Sequence, residues 1–509
     1  MSAKAEISAP LTGAALVIAC IVLAITNFMV VLDTTIANVS VPHIAGGLGI
    51  SSSQGTWVIT SYAVAEAVSV PLTGWLAQRF GAVRTFAFGM IGFGVFSFLC
   101  GVSTTLGMLV ACRVGQGLCG GPLMPLSQTL LLRIFPKEKH AQAMGIWAMT
   151  TVTAPILGPI LGGVISDNWS WHWIFFINIP VALGCAAGAM FVLKRIETPT
   201  RSVPIDTIGL ALMLLWISAL QIMLDLGREH DWFSDPFILG LAIVAAVGFI
   251  AFIIWELTED NPIVDLRVFR HRGFSAAVLT TSLAFGTFFS TIVIIPLWLQ
   301  GAQGYTATWS GYVMAFMGVA AVFMSPIVAK MLGRFDARAL VCFGVLWLGL
   351  TSLMRAAWPS DADFWTLSLP QLVQGFGMPF FFVAVTTLAL GAVDPDETAS
   401  AAGLMSFLRT MSAAIGTSIV TTSWDNSARV TQSDLVGSLN TAPVLDSMAG
   451  QGFSLEQTRQ LISNLVEQQA TAIATTNIFT LAACIFAFAA LVIWLAPRPR
   501  KDVDTSAAH

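Results

Sequence analysis

Long apolar stretches follow one another along almost the whole chain, separated by short polar segments. Each is continuously apolar over about twenty residues or more, enough for a tilted helix to cross a bilayer. Strands of a membrane barrel would instead alternate over roughly ten residues, so we predict helices that satisfy their own backbone hydrogen bonds. The predicted spans are 14–39, 54–77, 85–103, 107–132, 142–166, 174–193, 207–225, 236–256, 274–299, 310–332, 339–357, 366–392, 399–423 and 475–496.

The composition excludes a soluble protein. Hydrophobic residues make up 56% of the 509 residues, charged residues only 10%, and the mean hydropathy is +0.79, whereas soluble domains carry about 25% charged residues. The seven cysteines fall in predicted spans without the spacing of a disulfide framework or metal site. No glycine-rich phosphate loop follows a predicted strand, and the six histidines suggest no catalytic arrangement. We therefore expect no enzyme, no metal site and no cofactor.

Lysine and arginine concentrate in alternate loops, and cytoplasmic loops are enriched in these residues. With the N-terminus inside, 18 of the 24 lie on the cytoplasmic side and two, Arg113 and Arg409, lie within spans. Four are assigned to the outer side: Arg228, Arg355, Arg429 and Arg459. We predict an even number of spans and both termini in the cytoplasm. One cytoplasmic loop departs from this bias, because it carries acids without a cation: Asp394, Asp396 and Glu397.

Four charged side chains lie deep within the predicted spans: Asp33, Glu66, Arg113 and Arg409. A charge in the hydrocarbon region costs at least ~2.5 kcal/mol on insertion scales, so it usually faces a bundle interior or wet cavity and marks an ion or substrate path. Counted inward from the outer helix ends, Asp33 and Arg113 can share a level at about 9–13 Å, and Glu66 lies at about 14 Å. Transporter binding sites concentrate near mid-membrane. The chain is therefore predicted to be a membrane transporter.

The two halves of the chain match each other at a nearly constant offset, as in transporters built from parallel repeats. The matches pair 79–82 with 334–337 at an offset of 255, and 116–117 with 374–375 and 156–158 with 414–416 at an offset of 258. We predict an N-terminal six-helix bundle at 1–205, a central two-helix hairpin at 206–265 and a C-terminal six-helix bundle at 266–509. At this offset Asp33 falls opposite 288–291 and Arg113 opposite Gln371, so the acidic chemistry is confined to the N-terminal half.

Three motifs, in order, resemble those of a known family: 32–39 ending at Pro42, the Pro- and Gly-containing run 154–163, and the aromatic run 171–180. They resemble the major facilitator superfamily over essentially the whole chain, in particular its fourteen-helix drug/proton antiporter branch and most closely the EmrB-type multidrug exporters. The resemblance implies an all-α membrane protein with the major facilitator fold, two six-helix bundles plus two extra central helices. It also implies export of hydrophobic or amphipathic toxic compounds, driven by the proton gradient.

The helix-four motif of the family, associated with proton coupling, is similar to Arg113 with 116–117. A nearby guanidinium favours an ionised carboxylate and desolvation opposes it, so a modest rearrangement can switch the proton occupancy of Asp33. A static buried pair is the alternative. For Glu66 three interpretations stay open, namely a second proton site, attraction of a cationic drug, or a structural pair with Arg409. We assign proton coupling to Asp33, Arg113 and Glu66, and substrate binding to Glu66 and Arg409.

Two further segments resemble family motifs. The antiporter motif of helix five is matched by Pro155, Gly158, Pro159, Gly162 and Gly163. Its glycines, four residues apart, permit close helix approach, and its prolines favour a bend, so this face can seal one bundle against the other; an ordinary packing interface is the alternative. The cytoplasmic loop motif between helices two and three is matched by Gly74, Arg79, Gly81 and Arg84. Here Gln78 replaces the acid that helps to latch the cytoplasmic side in the family.

A long hydrophilic insertion at about 425–474 is predicted on the periplasmic side. Residues 454–457 have capping-box form, and Leu455, Ile462 and Leu465 recur at helical spacing, so we predict an amphipathic helix leading into the last span. EmrB-type exporters work in the bacterial inner membrane with a periplasmic adaptor and an outer-membrane channel, which makes the insertion a candidate docking surface; packing on the pump's own mouth is the alternative. A proton-coupled uptake symporter would share the fold. A receptor or membrane enzyme would need a soluble element that does not appear.

Overall fold

The computed structural model describes residues 11–55, 57–136, 139–201, 204–227, 230–260, 262–360, 362–394, 397–438 and 454–498. These ranges are largely helical and contain no strand, which confirms the all-α class. Eleven described helices are long and apolar enough to cross a membrane, and a bent helix ending at Asn168, with a 43° break, is a twelfth. The predicted spans 54–77 and 107–132 each correspond to shorter helices joined by a tight turn.

The N-terminal half begins with a helix that runs through Pro42, past its predicted end at 39. It ends at Gly49, whose φ of 65° is a conformation that glycine adopts without steric cost. The described helices of this half are α1 (Gly13–Leu48), α2 (Ser52–Gly55), α3 (Trp57–Ser69), α4 (Thr73–Phe80), α5 (Ala82–Gly101), α6 (Leu106–Gly120), α7 (Leu123–Ile134), α8 (His140–Asn168), α9 (Trp173–Phe176) and α10 (Asn178–Val192).

Two central helices, α11 (Thr207–Leu226) and α12 (Pro236–Thr258), pack mainly on each other. The C-terminal half follows with α13 (Arg272–Gly301), α14 (Ala307–Leu332), α15 (Ala337–Ala356), α16 (Phe364–Gly391), α17 (Thr398–Ser438) and α18 (Leu455–Val492). Aspartates fix several helix starts, because their side chains accept a backbone N–H of the first turn. Asp206, Asp235, Asp336 and Asp363 do so for α11, α12, α15 and α16.

Close helix contacts recur at equivalent positions of the two halves. In the N-terminal half, Gly117 of α6 lies against the Tyr62 carbonyl of α3, where an added Cβ would be 2.6 Å from the oxygen. In the C-terminal half, Gly375 of α16 lies in the same way against the Met317 carbonyl of α14. The two glycines are 258 positions apart, the offset found in the sequence. The halves meet where α8 packs on α14, and where α4 and α7 pack on α17.

The predicted insertion is built largely from extensions of two membrane helices. α17 has 41 residues and α18 has 38, so they are about 62 and 57 Å long, roughly twice the hydrocarbon thickness. The amphipathic helix predicted before the last span is present, starts with the expected capping box at Ser454 and Gln457, and continues into the span. The extension of α17 to Ser438 was not predicted. Residues 439–453 between the two helices lie outside the described part.

Candidate functional site

Asp33 of α1 is the centre of a buried polar network in the N-terminal half. Its side chain is 1% exposed, and its Oδ2 accepts a hydrogen bond from Arg113 Nη1 of α6 at 2.7 Å. Its Oδ1 accepts from Gln116 Nε2 at 3.1 Å and from Asn178 Nδ2 of α10 at 2.7 Å. Three helices therefore converge on one ionisable group, and the structure brings Asp33 and Arg113 together at the shared depth that the sequence indicated.

The Arg113 guanidinium is held on several sides. Its Nε donates to the Val58 carbonyl of α3 at 3.1 Å, and Nη1 also donates to Gln116 Oε1 at 2.9 Å. The guanidinium carbon lies 4.2 Å from the ring centre of Tyr62 and 5.6 Å from that of Phe175. These contacts hold the guanidinium toward Asp33 through its Nε and Nη1. Its Nη2 is buried without a hydrogen-bond partner among the described residues.

Two members of this network were missed by the sequence reasoning. Asn178 lies in the aromatic run 171–180, which served only as a family signature, and its amide reaches Asp33 directly. Ser97 of α5 accepts from Gln116 Nε2 at 3.3 Å and from Asn178 Nδ2 at 3.1 Å, and donates to the Phe175 carbonyl at 2.8 Å. A buried asparagine at the start of an apolar helix was the available signal for Asn178; Ser97 had none.

Glu66 lies one helical turn after Tyr62 on α3 and is half-buried. Within the described chain its carboxylate has neither a hydrogen bond nor an ion pair within 4.0 Å, although it is close enough to Asp33 and Arg409 to interact electrostatically. The turn after α6 lies close to the backbone of α3, since an added Cβ at Gly121 would be 2.9 Å from the Glu66 carbonyl. Glu66 thus offers an unpaired carboxylate near the Asp33 network.

Arg409 reaches the same region from α17 of the other half and is only 4% exposed. Its Nη2 lies 2.7 Å from Met124 Sδ, and its guanidinium carbon lies 4.9 Å from the ring centre of Trp147 and 5.4 Å from that of Phe285. No carboxylate of the described residues is within ion-pair distance. The pair of Arg409 with Glu66, one of the three interpretations, is therefore not formed in this conformation, and two opposite charges face one region from opposite halves.

The antiporter-motif glycines pack inside their own bundle. Gly158 of α8 lies directly against Thr35 of α1, and an added Cβ at Gly162 would be 2.9 Å from the Ile36 carbonyl. These two glycines contact α1 of the same half. Other residues of α8 contact the other half: Ile160 lies against Gly311 of α14, and Gly145 lies near Ser325 and Ala329. The role of the motif as a seal between the bundles stays a prediction.

The other three residues of the antiporter motif make fewer described contacts. Pro155 is half-buried and Gly163 borders open space, since an added Cβ would have no neighbour within 4 Å. Pro159 belongs to α8, but its side chain is outside the described part. The glycine pair therefore couples α8 closely to the helix segment that carries Asp33.

The chain is similar to known proteins over most of its length. The Major Facilitator Superfamily model matches residues 23–417. The chain belongs to the major facilitator superfamily. It is 45% identical over 496 residues to the multidrug export protein EmrB of Escherichia coli (strain K12), covering 96% of this chain and 97% of that protein. It is 43% identical over 495 residues to the fatty acid resistance protein FarB of Neisseria gonorrhoeae, covering 96% and 98%. The EmrB-type resemblance is confirmed, and the chain is a multi-pass membrane transporter.

A solved structure supports the same fold. The human organic anion transporter MFSD10 (TETRAN) superposes with a TM-score of 0.57 at 14% identity, over 94% of this chain and 99% of that chain.

The cytoplasmic loop motif of the superfamily obtains a carboxylate from a distant residue here. Glu197 accepts from the backbone N–H of Val83 at 2.9 Å and of Arg84 at 3.0 Å, capping the start of α5. It lies directly against Gly81, whose φ of 94° and lack of a side chain make this approach possible. Gln78 stands where the family has its acid, and the sequence did not indicate Glu197, because the two segments are more than a hundred residues apart.

The other motif residues of this loop lie around the same end of the molecule. Gly74 packs on Ser400 of α17, with an added Cβ 3.1 Å from the Ser400 Cα, so it lies at a contact between the halves. The Arg79 guanidinium carbon lies 5.8 Å from the ring centre of Trp75, and the Arg84 side chain is exposed.

The acidic loop that lacked a cation in the sequence is also paired in the structure. Glu397 forms an ion pair with Arg270 Nη2 at 2.9 Å and lies at hydrogen-bond distance, 3.0 Å, from His271 Nε2. Asp394 lies 3.4 Å from Arg270. The loop itself contains no lysine or arginine, as noted from the sequence, and its cationic partner Arg270 comes from the segment before α13. Asp396 lies outside the described residues.

Proposed function

We propose that this transporter is a proton-coupled antiporter that exports hydrophobic or amphipathic toxic compounds across the bacterial inner membrane, with both termini in the cytoplasm. The observation that carries the proposal is the buried Asp33 carboxylate, on which donors from α6 and α10 converge. Buried ionisable groups in membrane helices serve as proton relays in transporters. The names of the relatives, multidrug export and fatty acid resistance, support the outward direction.

Protonation of Asp33 would change the balance of forces around Arg113. An ionised Asp33 gives Arg113 a charge-assisted hydrogen bond, roughly twice as strong as a neutral one. A neutral Asp33 withdraws the countercharge and leaves Arg113 with the Val58 carbonyl and the Gln116 amide oxygen as acceptors. Proton uptake on Asp33 therefore loosens α1 from α6, and proton release draws them together.

The contacts of α1 offer a route from this proton to the interface between the halves. Thr35 and Ile36 follow Asp33 on α1 and lie against the glycines of α8. α8 in turn packs along α14 of the other half, where Ile160 lies against Gly311. A shift of α1 on proton release would thus move α8, which contacts the other half of the transporter. Such a movement is needed to link proton transfer at Asp33 to alternating access.

The substrate site in this proposal lies between Glu66 and Arg409. Met124, Trp147 and Phe285 surround Arg409, and polarizable sulfur and aromatic side chains can repack around varied apolar compounds. The unpaired carboxylate and the arginine are opposite charges on opposite halves. An amphipathic compound could place its apolar part against the aromatic rings and its polar group near either charge.

Proton flux in sealed proteoliposomes tests direction and coupling together. Vesicles holding the purified protein and a pH-sensitive dye receive a concentration gradient of the lipophilic cation tetraphenylphosphonium, with the membrane potential clamped by potassium and valinomycin. We expect the cation to drive protons in the opposite direction. Protons moving with the cation would identify a symporter, and no proton movement across a panel of apolar compounds would overturn the coupling.

We also propose that the paired extensions of α17 and α18 dock the periplasmic adaptor that leads to an outer-membrane channel. On α18, Leu455 and Leu465 are 55% and 57% exposed, and Leu461 is also exposed. Val430 and Val436 are exposed on α17. Ile462, by contrast, is half-buried, so packing within the transporter accounts for Ile462 but not for the exposed leucines.

A further inference from the structure

A second fully buried arginine lies in the C-terminal half, where the sequence predicted an outer-side residue. Arg355, in the last turn of α15, is 1% exposed. Its Nη2 donates to Gln371 Oε1 of α16 at 2.6 Å and to Gln374 Oε1, and its guanidinium carbon lies 5.8 Å from the ring centre of Phe479. In the described chain no carboxylate pairs with it.

The hydrogen bonds of this cluster leave donors without acceptors. Arginine has no acceptor atom, so both glutamines must turn their oxygens toward it and their Nε2 groups elsewhere. Arg355 Nε and Nη1 and the Nε2 atoms of Gln371 and Gln374 are all buried with no partner among the described residues. Buried polar groups are normally satisfied. The site thus has four unused donors and a positive charge.

The cluster around Arg355 can be compared with the residues around Asp33 in the N-terminal half. At the 258 offset the equivalent positions are Asp33 and Thr291, Ser97 and Arg355, Arg113 and Gln371, and Gln116 and Gln374. In the N-terminal half an arginine and two amides converge on the Asp33 carboxylate. In the C-terminal half an arginine and two amides are present, but a threonine occupies the position of the acid. The C-terminal cluster thus buries an arginine beside two amides without a carboxylate among the described residues.

The packing around Arg355 limits which ligand could lie next to it. Gln371 and Gln374 are as deeply buried as Arg355. Trp358 stacks on Trp298 with ring centres 5.4 Å apart and lies edge-on against Phe479 at 5.6 Å, so aromatic rings cover this end of the bundle. A drug-sized compound has no room in such packing. A water molecule could accept from the donors but would leave the buried charge uncompensated.

We propose that the cluster of Arg355, Gln371 and Gln374 binds a small monovalent anion, with chloride as the physiological occupant. The anion accepts from the unpartnered Arg355 Nε and Nη1, and it neutralises the guanidinium. This site is separate from the proposed proton carrier Asp33 and from the central region between Glu66 and Arg409. Its occupancy stabilises the folded C-terminal half.

Thermal unfolding of the full-length protein in detergent gives the first test. Because a ligand that binds only the folded state stabilises it, replacing gluconate with chloride at constant ionic strength should raise the midpoint by on the order of a few degrees. Arg355→Gln should abolish this dependence. Arg338→Gln is the matched control, since Arg338 is a buried cation on the same helix that already pairs with Asp336 at 2.8 Å, and it should retain the dependence.

The proposal would be overturned if the unfolding midpoint of the wild-type protein did not depend on chloride. It would also be overturned if the Arg355→Gln variant kept the chloride dependence. A direct measurement covers the case in which the variant does not fold. Crystals of the wild-type protein grown with bromide should show an anomalous peak in contact with Arg355 Nη1. Density there without anomalous signal would identify water, which would also reject the anion.

Discussion

The two halves of the transporter bury an arginine among glutamines, but only one half supplies a carboxylate. Arg113 lies against Asp33, whose other oxygen accepts from Gln116 and Asn178. Among the described residues, the Arg355 side chain donates to the oxygens of Gln371 and Gln374 and pairs with no carboxylate. An acid can change its charge near physiological pH when its environment shifts, whereas a guanidinium remains protonated. The difference therefore assigns variable charge to the N-terminal half and constant charge to the C-terminal half.

The most severe test of this comparison is Asp33→Asn. An amide cannot cycle a proton, so we expect transport driven by a pH gradient to fall to the background of empty vesicles while the protein still reaches the membrane. Asp167→Asn is the matched control, because Asp167 is an exposed acid on α8 paired with His43, and it should transport normally. Proton-driven transport that persists in Asp33→Asn would move the proton carrier elsewhere.

Removing the arginine partner should have the next largest effect. Arg113→Ala leaves the Asp33 carboxylate buried without its countercharge, which typically costs about 3–5 kcal/mol of stability. We expect lower stability and impaired coupling. A double-mutant cycle of Arg113→Ala with Asp33→Asn, measured by unfolding, should give a coupling free energy of about 0.5–3 kcal/mol. Additive effects would mean that the two side chains do not act as a pair.

Glu66→Gln examines the unpaired acid of the N-terminal half. If Glu66 attracts cations, its loss should weaken export of a lipophilic cation by about tenfold, equivalent to about 1.4 kcal/mol, and spare a neutral compound of similar size. If it carries a second proton, both compounds should suffer and the exchange stoichiometry should fall. Export assays with the matched pair separate these outcomes, and unchanged export of both would leave Glu66 with a structural role.

In the described part of the chain, the C-terminal half extends two helices, α17 and α18, well beyond the hydrocarbon thickness. Replacing Leu455, Leu461 and Leu465 with serine should lower co-purification of a periplasmic adaptor severalfold and leave transport in isolated vesicles unchanged. Ile462→Ser is the control, because this half-buried side chain should affect the packing of the helices more than docking. Undiminished adaptor binding by the triple variant would favour another docking surface.

The sequence alone identified the charged members of the Asp33 network, because the cost of placing a charge in an apolar span can be judged without coordinates. Asp33 and Arg113 were found because a charge in an apolar span is expensive, and helix rise placed them at one depth. Asn178 and Ser97 were missed, since neutral polar residues in spans are common. Arg355 was assigned to the outer side because it lies at the end of a span, where hydropathy cannot tell which way a long side chain turns. The partners of Glu197 and Glu397 are more than a hundred positions away along the chain.

The length of α17 has a mechanical consequence. Arg409 and the described tip at Ser438 belong to one uninterrupted helix, about 44 Å apart at 1.5 Å per residue. A rigid rod of that length amplifies motion, because a tilt of about 10° around Arg409 would displace the tip by about 8 Å. Small adjustments near Arg409 would therefore become large movements at the tip of α17. If the adaptor proposed above docks there, each transport cycle would displace it.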